Sequence, residues 1–128
     1  MGSRQFAAVL VTLVAATAAT SAHHGSADYH VDREQVVRGI VAEWRWTNPH
    51  TAIVLTAMTP QGQQETWDGE GPPLTWAAGR GWSSTTLRAG ETVALVMYPS
   101  RRGAHAGLVK RIERANGDVL HVSRPWLD

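Results

Sequence analysis

The sequence predicts a mainly β protein: a small five- to six-stranded OB-like barrel with one short helix, preceded by a cleaved signal peptide. Three observations predict it. Runs rich in β-branched and aromatic residues are separated by Gly, Pro and Asn turn signals. One segment between the third and fourth of these runs, opened by Pro72-Pro73 and closed by Gly79 or Gly81, carries the start and stop signals of a short helix. An uncharged apolar stretch at the N-terminus gives way to small residues. The resulting order of three strands, a helix and two more strands is that of an OB-type barrel, with an SH3-like barrel or a small open sandwich as alternatives.

Residues 1–22 have the parts of a secretory signal: Arg4 in a short n-region, the apolar run Phe6 to Ala16, and small residues through Thr20-Ser21-Ala22. The run is too short to span a bilayer as a permanent helix. Cleavage after Ala22 would make His23 the new N-terminus and leave no integral membrane segment. A flexible leader, 23–34, follows, with neither helical nor strand periodicity. The barrel domain is then 35–128.

Within that domain the first strand runs from Gln35 to Trp46, with Gly39 marking a bulge or sharp bend of the kind that lets one strand serve two sides of a small barrel. Asn48-Pro49 turns the chain, and His50 to Met58 forms the second strand up to Thr59-Pro60-Gln61-Gly62. A short third strand covers Gln63 to Asp68. The helix after Pro72-Pro73 would turn Leu74 and Ala77-Ala78 to the core. Thr92 to Tyr98 is apolar at nearly every position, the pattern of a strand covered on both faces. His105 to Glu113 is the fifth strand, and Asn116-Gly117 turns it into a terminal arm, Asp118 to Val122. The expected core comprises Ile40 or Val41, Ile53, Leu55, Leu74, Val93, Leu95, Leu108 and Ile112, with Trp67 and Trp82 burying their rings.

The 128 residues make one domain, and the absence of Cys excludes disulfides, thiolate metal sites and a Cys nucleophile. Of the 12 Lys+Arg only Arg4 leaves with the signal, so 11 basic side chains face 11 acidic ones in the processed chain. Such a balance gives no reason to expect nucleic acid as a partner. The partner expected is a small ligand or another exported protein, in the periplasm or outside the cell.

Ala22-His23-His24-Gly25-Ser26, Trp46-Thr47-Asn48-Pro49-His50, Gly81-Trp82, Leu87, Gly90-Glu91 and Tyr98-Pro99 together resemble a family of small exported bacterial proteins of unknown function. That family carries Ala-His-His-Ser at the mature N-terminus and Trp-Thr-Asn-Pro-His in its first hairpin; here Gly25 stands before the Ser. The resemblance implies an exported small β-barrel and no particular activity.

The sharpest chemical feature is His23-His24 at a new N-terminus, because a free α-amine beside imidazoles makes a nitrogen-rich set suited to Cu(II). His50, at the turn beside Trp44 and Trp46, is the candidate third ligand. Copper is the cofactor this pattern suggests, and a copper oxidase is a further alternative. A metal-independent barrel for an organic ligand or protein would instead use Trp44, Trp46, Asn48, His50, Arg101 and Arg102: aromatic rings for stacking and a basic loop for an anion. No nucleophile-elbow serine, paired-His helical motif or phosphate-binding glycine loop argues for an enzyme.

Overall fold

A computed structural model describes residues 26–123. Six strands and one short helix follow a 3-10 turn at Ser26–Asp28. They are β1 (Gln35–Arg45), β2 (His50–Met58), β3 (Gln64–Pro73), α1 (Leu74–Ala78), β4 (Thr92–Pro99), β5 (Ala106–Arg114) and β6 (Val119–His121). The sheet order is β3-β2-β1-β4-β5-β6, and a parallel pairing of β3 with β5 closes the first five strands into a barrel. β6 is an extra strand outside the closed wall. This is the predicted OB-like arrangement. Among the described residues no helix is long and apolar enough to cross a membrane.

β1 is shared between two neighbours. Its first half, Gln35 to Ile40, pairs antiparallel with β4, and its second half, Ile40 to Arg45, pairs antiparallel with β2. The hand-over explains Gly39, because a Cβ there would run into the Thr56 carbonyl oxygen of β2. The bulge itself lies further on, between Val41 and Glu43. Of the alternatives Ile40 and Val41, Val41 is the core residue, whereas Ile40 is 50% exposed.

The core joins Val37, Val41, Ile53, Leu55, Trp67, Val93, Leu95, Met97, Val109 and Ile112 across the barrel interior. Positions 93–98 of β4 are all buried, as the continuous apolar run requires of a strand covered on both faces. Leu87 also reaches the core, from a segment that reads as a polar connection. Thr51 is fully buried and satisfied: its Oγ1 donates to the Pro72 carbonyl at 2.9 Å.

Four expectations need correction. β3 does not end at Asp68 but continues through Gly69-Glu70-Gly71 to Pro73. These glycines are close-packing positions, since a Cβ on Gly69 would come within 2.8 Å of Val109 Cγ2 and one on Gly71 would collide with Thr51 Oγ1. Pro72-Pro73 therefore end a strand, with Pro73 at the helix N-cap, and α1 begins at Leu74. In so short a helix only Ala77 is buried; Leu74 is half-buried and Ala78 exposed at the barrel end. Trp82 is half-buried against the core, not enclosed by it.

Candidate functional site

Residues 26–34, which show no strand or helix period, are joined to the barrel by specific bonds. Tyr29 forms an antiparallel bridge with Ser100, and the His30 amide donates to the Pro99 carbonyl at 2.8 Å. The Arg101 amide donates to the Asp28 carbonyl at 2.8 Å, and Arg101 Nε donates to the Tyr29 carbonyl at 3.1 Å. Arg102 pairs with the Asp28 carboxylate at 2.8 Å. The loop after β4 thus fastens the segment that follows His23-His24.

On the barrel side, Pro49 and β2 set the position of His50. The Asn48–Pro49 bond is cis, Thr47 Oγ1 donates to the His50 carbonyl at 3.3 Å, and His50 opens β2 opposite Pro73 at the end of β3. That places its ring beside Glu70, three positions earlier on β3, with Nδ1 at 3.9 Å from Oε1. The separation is within ion-pair reach and longer than a hydrogen bond. Glu70 Oε2 accepts a 2.6 Å bond from Tyr29 Oη. One carboxylate therefore lies between the His50 imidazole and the N-terminal segment, and all three side chains are half-buried. Neither Tyr29 nor Glu70 stands out in the sequence. Glu70, with Glu65 and Asp68, reads there as a solvated turn carboxylate, and only the extension of β3 moves it to this rim.

His23 and His24 lie outside the described residues. Among the described residues no cluster of three or more His, Cys, Asp or Glu could hold a metal ion. His50 with Glu70 supplies one imidazole and one carboxylate, a donor set that suits copper only as part of a larger one.

The other predicted residues separate into two places. Trp44 and Trp46 share a face, their ring centroids 6.0 Å apart. They continue into Trp82, 6.3 Å from Trp44, and Trp76, 6.0 Å from Trp82, with the Arg80 guanidinium 3.8 Å above the Trp76 ring. Trp44 Nε1 donates to the Ser83 carbonyl at 3.0 Å. Asn48 is exposed at the turn. Arg101 and Arg102 lie instead on the loop after β4, where both are bonded to the N-terminal segment, Arg101 through its amide and its Nε and Arg102 through its guanidinium. The wider basic group is divided by acids: Lys110 and Arg111 meet Glu34, Arg111 also meets Glu113, and Arg114 meets Glu91.

Residues 9–111 match the model of a family described as a family of unknown function, DUF6152. No curated protein matches the chain.

Proposed function

The chain belongs to that family of unknown function, and from this premise we propose that it is an exported binding protein that takes Cu(II) at its processed N-terminus. The ligands are the α-amine and side chain of His23, the side chain of His24, and His50 from the barrel rim. What supports the reading is the contact between Tyr29, Glu70 and His50. Tyr29 stands a few residues after His23 and His24 in the sequence, and its own bond to Glu70 holds it at the carboxylate that also faces His50. A histidine that ligates a metal through one nitrogen is commonly oriented by a carboxylate at the other, and Glu70 at Nδ1 suits that role.

Nitrogen-rich sets favour copper over nickel and zinc among divalent first-row ions, and the chain has no thiolate to shift that order. Binding displaces protons from the amine and imidazoles, so affinity falls as pH drops through the histidine range. The chemistry the ion supplies is coordination of nitrogen donors; the protein holds the imidazoles in place and orients the rim histidine.

Intact-mass measurement of the exported protein is expected to give the mass of a chain that begins at His23. Cu(II) titration of that protein is expected to show binding that is weakened by one extra residue before His23 and, to a smaller degree, by His50→Ala. Equal affinities with and without the extra residue overturn the N-terminal site. A second reading, an organic ligand stacked on Trp44 and Trp46, draws on the row of four Trp rings and predicts binding that ignores the extra residue.

A further inference from the structure

The loop joining β4 to β5 forms one wall of a cleft of about 660 Å³. Its other walls are Arg33 just before β1, Gln35 at its start, and Glu65 and Trp67 on β3. Among the described residues three arginines, Arg33, Arg101 and Arg102, line it against one carboxylate, Glu65. That carboxylate is already engaged: Oε2 accepts from Trp67 Nε1 at 3.2 Å, and Oε1 lies 3.7 Å from His105 Nε2. Arg102 is turned to Asp28, and Arg101 uses its Nε on the Tyr29 carbonyl. The Arg33 guanidinium and the terminal nitrogens of Arg101 have no acceptor among the described residues.

His105 stands at the mouth with φ 61°, a left-handed conformation that costs energy in any residue with a side chain. Its ring sits on Trp67, with centroids 4.7 Å apart. Glycine at this position would adopt the same backbone without strain, so the conformation places an imidazole at the cleft at some cost to the fold. Guanidinium groups with open donors recognise planar or tetrahedral oxyanions through paired hydrogen bonds, and an imidazole adds a further donor.

We propose that this cleft is an oxyanion site, in which Arg33, Arg101 and His105 hold a phosphate or carboxylate group, free or at the end of a larger molecule. It is separate from the N-terminal copper reading and needs no metal.

The test follows amide chemical shifts of the metal-free processed chain during titration with inorganic phosphate, with acetate, and with chloride at matched ionic strength. Shifts confined to the Arg33, Arg101 and His105 region with phosphate or acetate, and absent with chloride, are expected; phosphate alone would identify a phosphate site, and acetate alone a carboxylate site. Arg33→Ala, at an exposed position, should weaken binding at least tenfold while Arg33→Lys recovers part of it. His105→Gly should raise the melting temperature and weaken the anion. Identical effects of chloride, shifts spread over all the basic residues, or unchanged affinity in both Arg33→Ala and His105→Gly would overturn the site.

Discussion

β4 and the rim around His50 are built on opposite terms. β4 buries six consecutive side chains, Val93 to Tyr98, and alternate ones, Val93, Leu95 and Met97, enter the barrel core. At the rim, Tyr29, Glu70 and His50 are half-buried and joined across long stretches of chain by hydrogen bonding and charge. The first region depends on filled volume, because its side chains are buried among apolar neighbours. The second rests on one hydrogen bond and one charged contact between half-buried side chains rather than on filled volume. A small barrel can thus keep its frame while its rim is altered.

The contrast is tested most severely by Leu95→Ala. Leu95 is fully buried, so the cavity should cost about 2–5 kcal/mol in a denaturant titration. A cost well under 1 kcal/mol would mean that β4 is not the frame. Tyr29→Phe should cost less, roughly 1 kcal/mol for a partly exposed bond to a carboxylate. The loss should be local: hydrogen exchange of the His30 and Arg101 amides should quicken while that of β4 is unchanged. Equal acceleration in both regions would merge them into one cooperative unit.

The smallest effect is expected at Glu34 and Lys110. A hydrogen bond donated by Lys110 holds the Glu34 carboxyl below its ordinary range, and the same bond, accepted by Glu34, raises Lys110 above its own. Glu34 therefore contributes stability above the usual carboxylate range and loses it as pH falls through its lowered value. Lys110 contributes below the usual lysine range and loses it as pH rises through its raised value. Both side chains are well exposed, so Glu34→Gln should cost no more than about 1 kcal/mol near neutral pH. High salt should narrow the difference between the Gln variant and the parent.

The same division governs what could be read from the residues. β2 has the expected limits, His50 and Met58, because Pro49 and Thr59-Pro60 punctuate it on both sides. β4 is plain from its unbroken apolar run. The end of β3 is hidden because Gly69, Gly71 and Pro72 look like breakers locally, whereas their reason for being there is contact with Val109, Ile53 and Thr51 from other strands. Leu87 has no periodic neighbour to mark it as a core residue. At the rim, Pro49 makes His50 recognisable as a turn residue, but the meaning of Glu70 depends on Tyr29, 41 positions away. No local pattern carries such a pairing.

The division of β1 between two partners also sets an order of assembly. Its C-terminal half can form a hairpin with β2 from nearby sequence, but its N-terminal half must wait for β4, because Gln35 pairs with Met97. Closure then waits for β5 to reach Asp68 through Ala106. Pairings so distant in sequence make folding slow compared with a helical domain of similar length. Until β4 arrives, a partly folded chain presents the unpaired half of β1, with Val36 and Ile40, as an adhesive edge for other chains.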